Sequence, residues 1–333
     1  MMDEEACRAV RERTLRHRRE SPLFEHLHRI AGGVDQLPIA RVAADEEFLS
    51  GSDDLTRYHE IFQRNMGTFY EHFAASIPFI LEEQCRIGVG MHRLAQQLTQ
   101  GEEAYLAFRE TSVGDGTNGR TMAEFSEGLI RTLSCSSSIH NKTSFDRLCS
   151  HDCSRFHQGS FVEVTPEYIA SRPDLHCFRD GFDVIYENVT FQFYGPERAD
   201  LIGYVSRQLK PEGVMIFMEK LRQPDPQEYL ARERIKDELF KSRYFRAGEI
   251  SAKRVNMLVD MERGQVDFAL LVDAIEQHFE HAYLIWNSTN FYEFAASNSA
   301  AGMARFLSVL DPVHVPAEFR FERDLPRAVQ SAA

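Results

Sequence analysis

The chain has 333 residues, enough for one α/β domain with added elements, and its 43% apolar and 27% charged content is that of a globular rather than a disordered protein. Its 38 Lys and Arg against 51 Asp and Glu leave a formal charge of −13, which repels phosphate backbones and argues against nucleic acid as a partner. The opening residues lack the apolar core of a signal peptide, no run approaches the roughly 18 apolar residues of a membrane span, and six cysteines are sparse, so a cytoplasmic protein with reduced thiols and no membrane partner is expected.

Residues 1–100 read as helices and loops. The Arg-rich stretch from Arg8 to Arg19 has acidic neighbours at helical spacing and reads as a solvated helix face. Ser52 or Asp53 can cap a helix carrying Leu55, Tyr58, Phe62, Met66, Phe69 and Phe73 at spacings of three and four, which Pro78 ends or kinks. Tyr70 and His72 on it read first as core or surface residues, although they could face a site. A second helical stretch runs from about Glu82 to Leu98.

Near Tyr105 the pattern changes. YLAFRETSV (105–113) is a predicted strand running into the glycine loop Gly114-Asp-Gly-Thr-Asn-Gly119, and the following helix places Met122, Phe125, Leu129 and Leu133 on one face. Strand, Gly-rich turn and helix in that order form the first unit of a doubly wound sheet. Such a turn lets a ligand approach the backbone, and the free N–H groups at the helix start can bind an anion. A dinucleotide site would want an acid roughly 20 residues on, and residues 128–145 contain no Asp or Glu; the first acid ending a predicted strand is Glu163. Residues 134–158 are polar, rich in Ser and Cys, and read as a loop insertion. Cys149, His151, Cys153 and His157 are soft ligands there, but a second pair to complete a tetrahedral site is missing, so no metal is expected.

FVEV (161–164) reads as a strand, and TPEYIA opens a short helix with Thr165 as cap and Pro166 in its first position. FDVIY (182–186) and VMIFM (214–218) suit parallel strands covered on both faces, with a helix at about 197–209 between them ending in LKPEG (209–213). Residues 225–280 are again helical, with Phe268, Leu271, Ile275 and Phe279 forming one core stripe. AYLIWN (282–287) and FYEFAAS (291–297) form a hairpin around Ser288 and Thr289.

ETSVGDGTNGRT resembles the first motif of class I S-adenosylmethionine (SAM)-dependent methyltransferases. FDVIYENVTFQFYG resembles their fourth-strand motif, LKPEGVMIFMEK is similar to the stretch leading into the fifth strand, and HAYLIWNSTNFYEFAAS to the closing antiparallel pair. These stretches cover about residues 105–220 and 280–298 in the family's order. The resemblance implies a Rossmann-like α/β fold with a seven-stranded sheet of order 3-2-1-4-5-7-6 and SAM across the ends of strands 1, 2 and 4. It implies cofactor binding by Glu110, Ser112, Gly114, Asp115, Gly116, Asn118 and Gly119, with Glu163 on the ribose hydroxyls. The loop has one residue more than the commonest GxGxG form, and the gap to Glu163 is longer than usual.

Tyr186, Glu187 and Asn188 end the fourth strand, where the resemblance places the transferable methyl, and are the expected catalytic residues; Glu187 could take a proton or hold the cofactor's ammonium. The expected organisation is a helical cap or lid over 1–100, a SAM-binding domain over 101–299 with a helical insertion at 225–280, and a C-terminal helix and tail over 300–333. A covered pocket favours methyl transfer to a small molecule, as in secondary metabolism. Two readings stay open: cyclisation of SAM on itself to azetidine-2-carboxylate with release of methylthioadenosine, and a non-catalytic SAM-binding module. The acceptor and the oligomeric state are not legible.

Overall fold

Short, nearly continuous apolar runs pair into one sheet in a computed structural model that describes residues 2–34, 39–98, 104–254 and 259–330. The strands are β1 (Leu106–Thr111), β2 (Ile130–Ser136), β3 (Ser154–Gln158), β4 (Phe182–Asn188), β5 (Leu209–Lys220), β6 (His281–Ser288), β7 (Phe291–Ser297) and β8 (Arg327–Ala328). Among the described residues the sheet has eight strands in the order β3-β2-β1-β4-β5-β7-β6-β8. The expected seven-strand order is therefore extended by a two-residue edge strand from the tail, with β8 antiparallel to β6. β1 to β5 are parallel; β7 runs antiparallel to β5, and β6 to β7.

Ahead of the sheet lie α1 (Glu4–Glu20), α2 (Pro22–Ala31), α3 (Glu46–Leu49), α4 (Asp53–Asn65), α5 (Thr68–Ala74) and α6 (Ile80–Leu98). Within and after it come α7 (Thr117–Phe125), α8 (Ile139–Leu148), α9 (Pro166–Ala170), α10 (Arg198–Ser206), α11 (Pro226–Ile235), α12 (Ala247–Lys253), α13 (Val259–Arg263), α14 (Phe268–Glu276) and α15 (Ala300–Ser308). Strand alternation divides the core. Val184, Tyr186, Ile216 and Met218 face one side with Leu55 of α4, Ile87 of α6, Met122 of α7 and Phe306 of α15. Ile185, Met215 and Phe217 face the other with Val10 of α1, Leu201 of α10 and Leu271 of α14. Helices as short as the seven-residue α5 are not stable alone. Burial holds them, at roughly 1.5–3 kcal/mol per fully buried large apolar side chain.

Several local expectations are corrected. The helix predicted through Phe73 is two helices, broken at Met66–Gly67. A Cβ at Gly67 would lie 1.6 Å from Asp115 Oδ2, so the chain turns there to pass over the glycine loop. α7 ends at Phe125, and Gly128 at φ +84° redirects the chain, so Leu129 and Leu133 belong to the approach to β2 and to β2 itself. The predicted loop at 134–158 is instead the end of β2, then α8 and β3. Three hydroxyls of β2 are polar but engaged: Thr132 donates to Gly119 O at 3.0 Å, Ser134 to Glu110 at 3.2 Å and Ser136 to Val113 O at 3.1 Å. FVEV is a 3-10 turn, not a strand: Ser160 N–H donates to Glu163 Oε2 at 2.6 Å in a capping box. LKPEG opens β5 rather than closing α10. Thr165 does cap α9, accepting from Tyr168 N–H at 3.1 Å, and the 281–297 hairpin forms as read, with Thr289 at φ +55°. Among the described residues, no helix is long and apolar enough to cross a membrane.

Candidate active site at the carboxyl ends of β1 and β4

β1 and β4 are parallel neighbours, and ligands of such sheets lie beyond the carboxyl ends of the strands. A cavity of about 790 Å³, solvent at its mouth included, opens there. Ser112, Val113 and Gly114 after β1, and Asn188 and Val189 at the end of β4, form its floor. Phe69, Tyr70, His72 and Phe73 of α5 form one wall, and Phe193 and Phe291 add aromatic faces. Lys236, Lys241, Lys253 and Met261 close the far side.

Glu110, the fifth residue of β1, organises the floor from behind. Its carboxylate accepts from Asn118 Nδ2 at 2.8 Å, Asn188 Nδ2 at 3.2 Å and Ser134 Oγ at 3.2 Å. Burial raises its pKa, and these donors oppose that rise. A carboxylate accepts and cannot donate, so it fixes which end of the Asn188 amide it meets. Asn188 Oδ1 is left buried with no hydrogen-bond partner, on a residue that lines the cavity. Above it, Gly116 at φ +73° starts α7 in the left-handed region without a side-chain cap. The first-turn N–H groups of α7 are thus left for solvent or an anion. Ser112 accepts from Gly114 N–H at 2.8 Å and shapes the same loop.

The other expected site residues separate. Asp115 is fully engaged away from the cavity, accepting from Thr117 at 2.7 Å and Ser144 at 3.1 Å and lying 3.6 Å from Arg120. Gly119 sits in the first turn of α7 against β2. Glu163 follows β3, not the strand beside β1, and its carboxylate caps its own turn. Of the triad expected at β4, only Asn188 lines the cavity. Tyr186 accepts from Gln84 Nε2 at 2.7 Å in the core, and burial pushes its hydroxyl well above the usual range. Glu187 points to the opposite face of the sheet, because successive strand residues alternate. One of its oxygens accepts from the backbone N–H groups of Thr190 and Phe191, and the other has no partner. Burial first, then the neighbouring charge of Glu219, raises its pKa well above the carboxylate range. Cys149 and Cys153 meet His151 only locally, and among the described residues no group of three His, Cys, Asp or Glu is placed to hold a metal.

Two kinds of cavity residue complete the site: His72, which the sequence offered as able to face a site but read first as core or surface, and a set of lysines not singled out from sequence. His72 is 5% exposed with Nδ1 unpartnered; burial, then Lys253 and Lys241, hold it well below the usual histidine range, hence neutral. Lys236 and Lys241 stand five residues apart, which carries no helical signature. Residues 236–240 form a π-helical turn. In an α-helix five residues put side chains roughly 140° out of phase, whereas a π turn closes over five and brings both lysines to one side.

No protein-family model and no curated protein matches the chain. Its fold is similar to that of the plantazolicin methyltransferase BpumL in complex with a monoazolic desmethylPZN analog and SAH, at 11% identity over 87% of this chain and 100% of that one, with a TM-score of 0.45. It is similar to an O-methyltransferase family protein from Burkholderia thailandensis, at 11% identity over 87% of this chain and 72% of that one, TM-score 0.43. A probable spermidine synthase from Corynebacterium glutamicum ATCC 13032 aligns at 10% identity over 68% of this chain and 70% of that one, TM-score 0.39.

Proposed function

We propose that the chain binds SAM in this cavity and transfers its methyl group to a small-molecule acceptor. One observation carries the reading: Asn188, whose Oδ1 is unpartnered, lines an aromatic cavity at the ends of two parallel strands, and Glu110 ties it to Asn118 in the first turn of α7, which starts without a side-chain cap behind left-handed Gly116. The donor set fits the amino-acid end of the cofactor. The first-turn N–H groups of α7 would take its carboxylate, and Asn188 Oδ1, aimed by Glu110, its ammonium. The faces of Tyr70, Phe73 and Phe193 suit a sulfonium cation. The ribose is not assigned: β2 ends in Ser136, whose hydroxyl is engaged, and the Glu163 carboxylate caps its own turn.

When bound, the cofactor supplies an electrophilic methyl on a good leaving group. The chain's contribution is then alignment and exclusion of water. In this reading α5 and the segments carrying Lys236 and Met261 are the cover, and a covered cavity of this size admits a small acceptor. α4 and α6 share a buried cluster with β1, so the cover is narrower than the whole N-terminal hundred residues.

The test is incubation with SAM, with and without candidate acceptors, followed by mass spectrometry of the sulfur product. S-adenosylhomocysteine with a methylated acceptor supports methyl transfer. Methylthioadenosine from SAM alone replaces it with the cyclisation reading. SAM binding in calorimetry with no turnover leaves a binding module, and no binding overturns the assignment.

A further inference from the structure

On and behind the far wall of the cavity, three buried lysines outnumber the carboxylates paired with them. Lys220, Lys236 and Lys241 are 0%, 1% and 3% exposed. They share two carboxylates: Lys220 lies 3.0 Å from Glu233, Lys236 contacts Glu233 at close range, and Lys241 lies 3.0 Å from Asp237, which is also 3.9 Å from Lys236. In this cluster three lysines face two carboxylates, an excess of positive charge beside Lys253, which is 3% exposed and lines the same wall. Lysine is almost never fully buried unless paired, and an uncompensated buried charge costs several kcal/mol. Burial and the neighbouring Lys236 push Lys241 down to about 7. The π turn spends regular helix geometry to aim Lys236 and Lys241 into the cavity, where His72 presents an unpartnered Nδ1. The surrounding wall is hydrocarbon and aromatic: Phe73, Ile77 and Phe291.

We propose that this wall binds the carboxylate of a small organic monoacid, the acceptor side of the cavity, with Lys236 and Lys241 as its counter-ions. The proposal rests on the SAM reading for the word acceptor, but the anion site itself does not. The excess positive charge suits a carboxylate, and the apolar wall suits a hydrocarbon or aromatic body rather than a free phosphate.

The experiment is calorimetry and thermal shift at pH 7 on the full chain, with and without S-adenosylhomocysteine. The probes are benzoate, phenylacetate and hexanoate, their amides, and inorganic phosphate. At least one acid is expected to bind and its amide not to. Lys241→Met is expected to weaken that acid about 10- to 100-fold, with Lys241→Arg restoring most of it. Wild-type measurements decide the case even if Lys241→Met fails to fold: no acid binding, or amides binding as well as acids, overturns the proposal, as does binding of phosphate alone. If Lys241→Met weakens SAM rather than the acids, the anion is the cofactor's own carboxylate and the proposal also falls. Acid binding in a protein that binds no SAM keeps the anion site and removes the methyl-transfer reading.

Discussion

Glu187 is the residue on which sequence and structure diverge most, and its substitution separates the two. At the end of β4 it reads as a base, yet in the fold one oxygen accepts from the Thr190 and Phe191 N–H groups and its carboxyl lies beside Glu219. Glu219 is held by Arg198 at 2.5 and 3.1 Å, so one guanidinium serves two buried carboxyl groups. Burial and Glu219 raise Glu187 well above its ordinary value, whereas the charge and hydrogen bonds of Arg198 oppose the rise at Glu219. The folded pKa of Glu187 is raised, so its contribution to stability is full below the unfolded value near 4.5 and is lost as pH rises through the folded value. Glu187→Gln copies the protonated acid, keeping the acceptor oxygen. It should change stability by less than about 1 kcal/mol below pH 4.5, stabilise the protein increasingly as pH rises above that, and so flatten the loss of stability toward alkaline pH. Glu187→Ala strands two buried N–H groups at roughly 1–3 kcal/mol each, about 2–6 kcal/mol in all. Urea unfolding followed by the fluorescence of Trp286, the single tryptophan and fully buried, reads both, alongside turnover per folded molecule from pH 5 to about 9. A more than about tenfold fall in turnover for Glu187→Gln, or a shifted pH–rate profile at unchanged stability, would refute the structural role.

Asn188→Ala removes the acceptor in the cavity while Glu110 keeps Asn118 and Ser134 as donors; SAM affinity by calorimetry should fall about 10- to 100-fold, with roughly 1–2 kcal/mol lost in unfolding. Glu82 accepts from Asp45 N–H at 2.7 Å, and burial pushes it up to about 7, so its contribution is present below about 4.5 and lost as pH rises through 7. Glu82→Gln should therefore stabilise the protein by up to roughly 3 kcal/mol at pH 8 and change little at pH 4, as read in urea unfolding at both pH values. Deleting residues 1–31 removes Val10, Leu23, Leu27 and Ile30, each at most 4% exposed. At roughly 1.5–3 kcal/mol apiece the loss rivals a whole folding margin of about 5–15 kcal/mol, and a truncated chain that unfolds at the parent temperature would contradict this.

The sequence by itself determined β1, β4, the core of β5 and the closing hairpin. Continuous apolar runs at 182–186 and 214–218, the Gly114–Gly119 loop and the 281–297 hairpin depend on local burial and turn chemistry, and each forms where it is read. What misled was polarity: β2 carries Thr132, Ser134 and Ser136, whose hydroxyls are satisfied by backbone and by Glu110 only once α7 and β1 are packed beside them. The end of β4 was located from sequence, but which of its residues face the cavity follows from strand register, and a one-residue alternation sends Glu187 to the opposite face from Asn188. Glu163 shows the same limit, since a strand end and a capping box are told apart only by where the chain turns next. The lysine wall was decided entirely in three dimensions. Its lysines come from the π turn, the residue after it and the end of α12, with Lys220 of β5 behind them, segments up to some thirty residues apart, and the charge imbalance matters only because burial removes the water that would otherwise screen it.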